Sequence, residues 1–487
     1  MNLHDLQSAL ATTLKTGRTV LGLDKNDPNL PPMASGGDPV IGHMREFSRD
    51  PVGVMDRGRR EHGEIFRLNL AGNGIVIILG PQGNEAVFRA PDEVLNPKEA
   101  YRLMTPVFGK GIAYDAEPHI FDEQLGFLYP ALTASRMKTY AQIMNEEAEL
   151  YLETRMGESG TVDLLDMMNE LTMYISARCL LGPEFRGALN REFVDLYQTM
   201  EGALIPLAFF FPYLPIPKFK ARDKARAKLV GMLTDVIANR RARGFRGEDF
   251  LQTFMDAKYK DGRPLTDDEI TGLLLTVVFA GHHTSGTLSA WTGINLLAHP
   301  QYLPAVLEEQ KRVYANGRAP SFDTLKELEV MERVIMEAER MYPPIVMMMR
   351  KVIKPFEYGG YTLQDGTMIM VSPQVSQRLP EWFKDPNRYD PDRFGPGREE
   401  HKQHPYVLTS FGGGKHKCIG LHFAYMQIKA LWSVILRKYD LELASPLYTP
   451  SYDFLIAGPR HPCLVKFQRK AEAVVEVPRL TTPTHVQ

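Results

Sequence analysis

Cysteine is scarce, with three in 487 residues. So few thiols exclude a disulfide framework. An excess of either charge is missing too: 57 Lys+Arg stand against 59 Asp+Glu, a net charge of −2. That balance argues against a dedicated nucleic-acid binder. No unbroken apolar run approaches the ~18 residues of a membrane-spanning helix. The start, MNLHDLQSALATTLKTGRTVLGLDKNDPNLPP, lacks the early basic stretch and apolar core of a signal peptide. With 39 Gly and 35 Pro, the chain is neither collagen-like nor low-complexity. What remains is a globular protein of ordinary composition, expected in a reducing cytoplasm.

Length alone suggests roughly three domains. The pattern along the chain does not. Leu3, Leu6, Leu10 and Leu14 are spaced for a short amphipathic helix over 3–15, either docked on the body or touching a membrane surface. Residues 28–52 are rich in Pro and Gly and read as an extended entry. The stretch 64–80 reads as a hairpin turning at Gly72, Asn73 and Gly74. From about 117 to 315 the pattern is almost wholly helical. Strand character returns over 355–372, with turns at Gly359-Gly360 and Asp365-Gly366. A last long helix covers 421–437, and short β segments follow to 468. No repeat or Pro/Gly linker divides the middle. The expectation is therefore one large, mainly α domain with small β-sheets over 28–468, an extension over 1–27 and a linker-like tail over 469–487.

One helix stands out. Thr266 and Glu269 form a capping box, and the helix they open can run from Asp267 to Ala298, before His299-Pro300. Its 32 residues span about 48 Å. A helix this long and apolar must cross the core. Yet its middle carries Ala280-Gly281-His282-His283-Thr284-Ser285. Buried polar groups there need partners. Glycine and hydroxyl residues favour local opening of the helical ladder, where a ligand would sit; a satisfied core kink is the alternative.

The most informative decapeptide is Phe411-Gly412-Gly413-Gly414-Lys415-His416-Lys417-Cys418-Ile419-Gly420, with a helix directly after it. A cysteine at a helix N-terminus, with cations on its near side, is expected to have a lowered thiol pKa and to bind metal as thiolate. The glycines let backbone pass close to a flat ligand. Zinc is the rival reading, because Cys418 and His422 offer two ligands; Cys179 and Cys463 supply no paired spacing to complete such a site.

This decapeptide resembles the haem-binding signature of the cytochromes P-450, with every fixed position matched. Three further elements agree in order. Ala280-Gly281-x-x-Thr284-Ser285 resembles the oxygen-activating motif of the family's central helix. Glu337-Ala338-Glu339-Arg340 resembles Glu-x-x-Arg, and Tyr389-x-Pro391-x-Arg393-Phe394 resembles the motif whose arginine joins that pair. The resemblance spans about residues 28–468. It implies haem b (iron protoporphyrin IX) ligated by Cys418, O2 as co-substrate, and electrons from NAD(P)H through a redox partner. It implies that Phe411, Gly412, Gly414, Ala280 and Gly281 lie against the haem, and that His416 and Arg350 meet its propionates. Glu337, Arg340 and Arg393 are expected to be structural.

Two segments narrow the resemblance. Where most of the family carries an acid before the central threonine, this chain has His283. Residues 101–115, from Tyr101-Arg102-Leu103-Met104-Thr105-Pro106 through Gly109 to Tyr114-Asp115, are similar to the substrate-recognition loop of the sterol 14α-demethylases. His416, where other branches mostly carry Arg, agrees. The implied reaction removes the 14α-methyl of a lanosterol-like sterol in three oxygenations, releasing formate. Thr284 and His283 are then the catalytic pair, His283 relaying protons or, alternatively, only ordering water. The implied substrate lining is Tyr101, Leu103, Met104, Phe108, Val277, Phe279, Ala280, Thr284, Ile345, Met347 and Phe454, with Tyr101 and Tyr114 also reaching propionates. Leu103, aliphatic where plant-type members carry Phe, implies C4-dimethylated substrates. The methionine-rich stretches Met167-Met168 and Met347-Met348-Met349 read either as an adaptable lining or as core.

Three further expectations follow. The apolar run 205–215 lies at a substrate-entry lid and either touches membrane or packs. From Lys218 to Arg246 there are ten Lys/Arg and two Asp; they form a solvated face or dock an acidic donor such as a ferredoxin. The helix after Asp115 lacks the basic residue that the family offers a propionate, leaving His119 or water to substitute. The resemblance, with no anchor in sight, points to a soluble, monomeric, bacterial cytoplasmic enzyme.

Overall fold

The computed structural model describes residues 27–471 apart from 186–187, 206 and 209–210. The expected helix over 3–15 and most of the tail lie outside these residues. The helices that matter below are α1 (Gly80–Arg89), α2 (Thr105–Phe108), α3 (Pro118–Gly126), α4 (Ala134–Arg155), α5 (Leu164–Ser176), α6 (Ala188–Glu201), α7 (Pro217–Arg243), α8 (Asp267–Ala298), α9 (Glu329–Met341) and α10 (Leu421–Lys438).

The α8 boundaries are those that the capping box and His299-Pro300 predict. Thr266 Oγ1 accepts from the Glu269 N–H at 3.2 Å, and Glu269 Oε2 accepts from the Thr266 N–H at 2.8 Å. The expected opening of the ladder does not occur, and α8 is continuous. Thr276, Thr284 and Thr292 each donate to the carbonyl four residues back, at 2.9, 2.9 and 2.7 Å, so the hydroxyls are satisfied within the helix itself.

Around α8 pack α5, α9 and α10. A Cβ on Gly293 would fall 2.0 Å from Trp432 of α10, so glycine is what admits that ring. Trp432 Nε1 then donates to Ser289 O at 3.0 Å. The segment Gly414–Lys438 is apolar and long enough to cross a membrane by composition, but 72% of that window is buried inside the protein. It is a core helix here.

Among the described residues, ten strands form three small sheets. The five-stranded one joins β1 (Ile65–Leu70), β2 (Asn73–Ile78), β8 (Met368–Val371), β5 (Met348–Val352) and β3 (Leu95–Asn96) in that spatial order, with only β2–β8 parallel. Its faces alternate as strand geometry requires: Phe66, Leu68, Ile75, Ile77 and Met370 pack on one side, Val76, Ile78, Ile369 and Val371 on the other. The first hairpin turns at Ala71-Gly72, both at positive φ, and Asn73 and Gly74 already pair in β2. Here β4 (Ser159–Asp163), β9 (Tyr439–Leu443) and β10 (Leu464–Arg469) form a second sheet, and β6 (Phe356–Tyr358) with β7 (Tyr361–Leu363) a third. Met167 and Met168 are buried core residues.

The basic run is not one solvated face. Arg222 donates to Pro212 O, Arg226 to Val107 O and Phe108 O, and Arg240 is buried between Glu184 and Asp249. Arg241 and Arg246 pair with Asp267 and Asp256. Half of the ten cations are thus spent on the fold, and α7 packs on α6, α8 and α2. In the apolar run before it, Leu207, Phe211, Tyr213 and Leu214 are exposed.

Candidate active site

The cysteine loop packs against α1 and leads into α10. Cys418 N–H donates to Phe411 O and Gly412 N–H to Thr409 O, both at 2.8 Å. Gly414 has a φ of +58°, and a Cβ there would lie 1.9 Å from Phe88 O, so only glycine fits. The Cys418 side chain is exposed to open space yet closely surrounded by protein. Burial pushes its thiol pKa up, and the Gly420 N–H only partly offsets this. The expected lowering does not occur, because burial outweighs it; nearby, Lys415 pairs with Asp92 at 2.8 Å and Asp122 at 2.7 Å, and His416 meets Asp92 at 2.6 Å. A bound metal ion would have to hold this sulfur as thiolate. Among the described residues, no group of three candidate ligands includes Cys418 and His422, which leaves the zinc reading without a ligand set.

A row of rings runs away from the loop. Tyr101 stacks on Tyr114 at 4.8 Å, Tyr114 on Phe121 of α3 at 6.3 Å, and Phe121 meets His416 at 5.2 Å. Burial first, then Tyr101, pushes the Tyr114 phenol to about 12; Arg350 opposes this and Cys418 adds to it. These four side chains therefore share one neighbourhood. Arg350 is buried and donates one bond to Met349 O at 2.8 Å. His416 gives Nε2 to Asp92, while its buried Nδ1 has no partner. An orphaned buried nitrogen, a buried guanidinium and a loop whose glycines exclude side chains fit a flat cofactor with an anionic edge, as haem is. His119 does not join this group; it is exposed beside Glu117.

Midway along α8, Ala280 is exposed and His283 and Thr284 are half-buried, in a helix otherwise sunk in the core. Gly281 turns elsewhere: a Cβ on it would meet Leu180 at 3.2 Å and Ser176 at 3.5 Å, so it serves helix packing rather than a cofactor. His282 and His283 share a partner that sequence reading missed. Glu201 Oε2, at the end of α6, lies 3.4 Å from His282 Nε2 and 3.9 Å from His283 Nδ1. Burial disfavours charge on His282, but the Glu201 carboxylate outweighs it and the pKa is raised. On His283 burial wins, and the pKa is lowered, leaving a neutral ring at pH 7. Glu201 and His283 line a cavity of about 470 Å³ together with Asn169, Phe279 and Thr287.

The apolar candidates divide. Leu103, Met104 and Phe108 are buried in the main core, Phe108 edge-on to Phe279 at 5.6 Å, with Val277 packed beside them. Ile345 is partly buried, and Met347 packs on the five-stranded sheet instead. Phe454 is 55% exposed at the cavity rim, not an enclosed lining residue.

Glu337, Arg340 and Arg393 meet as their motifs suggest, fully buried. Arg340 Nε donates to Glu337 Oε2 at 2.7 Å and Arg393 Nε to Glu337 Oε1 at 3.0 Å. Two further partners were not anticipated. Glu400 takes Arg393 Nη1 at 2.7 Å. Gln377 accepts Arg340 Nη1 on its carbonyl and, on its side chain, the Thr409 N–H and Ser410 Oγ–H. Gln377 thereby ties the charge cluster to the start of the cysteine loop.

The chain matches the Cytochrome P-450 family over residues 31–462. A sterol 14alpha-demethylase of Mycolicibacterium vanbaalenii is 39% identical, over 90% of this chain and 98% of that protein. An obtusifoliol 14-alpha demethylase of Sorghum bicolor is also 39% identical, over 91% of each. A lanosterol 14-alpha demethylase of Mus musculus is 36% identical, over 89% and 86%. The solved structure of retinoic-acid-bound cyanobacterial CYP120A1 superposes with a TM-score of 0.80 at 23% identity, over 91% of this chain and all of that one, a likeness of fold. Match, fold and cysteine loop agree, and the chain belongs to the cytochrome P-450 family, whose members carry a haem and take electrons from a redox partner.

Proposed function

We propose that the protein removes the 14α-methyl group of a sterol by three successive oxygenations. The methyl becomes an alcohol, then an aldehyde, and leaves as formate with a new ring double bond. Each round takes up O2, two electrons and two protons. The observation that carries this reading is that relatives from a bacterium, a plant and a mammal, at similar identity over nearly the whole chain, are all named for this one demethylation.

Haem bound through Cys418 would supply the oxygen activation. Arg350, His416, Tyr101 and Tyr114 would hold its propionates. Glu337, Arg340, Arg393 and Gln377 keep the cysteine loop in place. Protons would enter by the Glu201 cavity, pass to His283 Nδ1 and be handed on at Thr284 Oγ1. A neutral His283 beside a carboxylate has a ring nitrogen to accept a proton, and its lowered pKa favours passing that proton on. Phe108, Phe279, Val277, Met104 and Leu103 would exclude water and position the sterol. Leu103 favours a C4-dimethylated sterol, and the exposed Leu207, Phe211, Tyr213 and Leu214 suit contact with the membrane in which sterols reside.

Electrons would arrive from NAD(P)H through a ferredoxin-type protein. The cations suited to receive it are the exposed Lys326 and Lys417, which border a pocket of about 570 Å³ beside the cysteine loop, in place of the run over 218–246. Reconstitution with lanosterol, a ferredoxin and its reductase tests the whole reading. Formate and demethylated sterol in equal amounts are expected; haem reduction without either product rejects it.

A further inference from the structure

Glu201, His282 and His283 hold more than a proton path. Each offers one ligand atom, and all three atoms lie within 4.8 Å of one another. A tetrahedral zinc ion with bonds of about 2.0–2.2 Å sets its ligand atoms roughly 3.3–3.6 Å apart. The two contacts to Glu201 Oε2 are 3.4 and 3.9 Å, close to that spacing before any adjustment. Two histidines and a carboxylate are a donor set that borderline divalent cations favour over magnesium or calcium.

Independent observations point the same way. Glu201 side-chain exposure is 9%, and its Oε1 has no hydrogen-bond partner. His282 Nδ1 sits 3.1 Å from Val278 O and can keep its proton there, so that an ion displacing the Nε2 proton would find Nε2 beside Glu201. A backbone carbonyl fixing the tautomer is the outer support that metal-bound imidazoles usually have. The ring is further held edge-on to Tyr197 at 5.5 Å. The adjoining cavity, which Glu201 and His283 line, gives an ion a way in and room for a fourth, water ligand; Asn169 Oδ1, also without a partner, lines the same space.

We propose that Glu201, His282 and His283 form a binding site for a zinc-like divalent cation that clamps the end of α6 to the middle of α8. An ion there takes the His283 Nδ1 lone pair and ties two helices that border the cavity. Turnover then falls as zinc is added and returns with a chelator. That consequence rests on the relay described above; the binding itself does not.

The test is equilibrium dialysis of the haem-loaded full chain against zinc chloride, with bound zinc measured by atomic emission. The protein carries His461→Ala, because Asp163, Asp166 and His461 form a second candidate group at the surface. One ion per chain is expected at about 10 μM free zinc. Affinity should drop at least tenfold in Glu201→Gln and in His282→Gln, with haem content and circular dichroism unchanged. X-ray absorption at the zinc edge of the parent protein should show two imidazoles and oxygen. No stoichiometric binding, binding that survives both substitutions, or a sulfur shell overturns the site. Zinc bound as described, with turnover unaffected, leaves the site standing and rejects the relay.

Discussion

The cysteine loop side of the site and the α8 side are built on opposite principles. On the cysteine side, the buried charge cluster is saturated. Glu337 is held by two guanidiniums and by the Asp390 N–H, and Gln377 spends both ends of its side chain on neighbouring backbone and on Ser410. Across α8 the polar groups are under-supplied. Glu201 Oε1 and Asn169 Oδ1 have no partner, and one carboxylate serves two imidazoles. Saturated buried networks are rigid, because every motion breaks a bond in a low-dielectric interior. Unsaturated ones are free to pass protons or accept ligands. The sulfur has to stay fixed; the oxygen side has to respond.

Substitutions can break this contrast, beginning with the largest effect. Cys418→Ala should abolish turnover and with it the red-shifted carbon monoxide band of thiolate-ligated haem; retention of that band would place the ligand elsewhere. Next, Glu337→Ala strands two buried guanidiniums and should cost about 3–5 kcal/mol in denaturant unfolding. A loss under 1 kcal/mol would mean that the cysteine side is not rigidly built.

On the responsive side, His283→Ala should lower demethylation about 100-fold, with electrons diverted to peroxide, while the fold is kept. Full, tightly coupled turnover in that variant rules out a relay.

A fourth test returns to the rigid side. Burial raises Glu339 from 4.5 to about 7, against hydrogen bonds from Tyr425 and Ser410. The folded state therefore binds this proton more tightly than the unfolded chain. The stability it contributes is complete below about pH 4.5 and is lost as pH rises through 7. Glu339→Gln should flatten that part of the stability–pH curve; an unchanged slope would contradict the assignment. The smallest effect is one of specificity. Leu103→Phe should shift the preference between lanosterol and obtusifoliol by about tenfold toward the latter, measured as the ratio of kcat/KM values.

Legibility in the sequence followed the range of the interaction. The α8 boundaries could be read because a capping box and a His-Pro stop are local signals within a few residues. The cysteine loop was legible because close backbone approach demands glycine at fixed spacing. The first hairpin was placed with its turn one or two residues late, since Gly72, Asn73 and Gly74 are all turn-compatible and only the strand register decides among them. Glu201 escaped notice because it lies on another helix, 81 residues before His282, and one acid in an amphipathic helix carries no mark. The basic run over 218–246 misled for a related reason: counting charges along the chain cannot show that Arg222, Arg226 and Arg240 turn inward.

The sequence by itself determined the helix that crosses the core, the cysteine available to a metal, and the family. Each depends on backbone conformation and spacing over a dozen residues or so. Tertiary structure alone decided the protonation chemistry. Burial holds Cys418 above its usual pKa, and of two imidazoles facing one carboxylate, Glu201 raises His282 while burial lowers His283. A pKa is set by burial and by whichever charges lie within a few ångströms, and those arrive from anywhere in the chain.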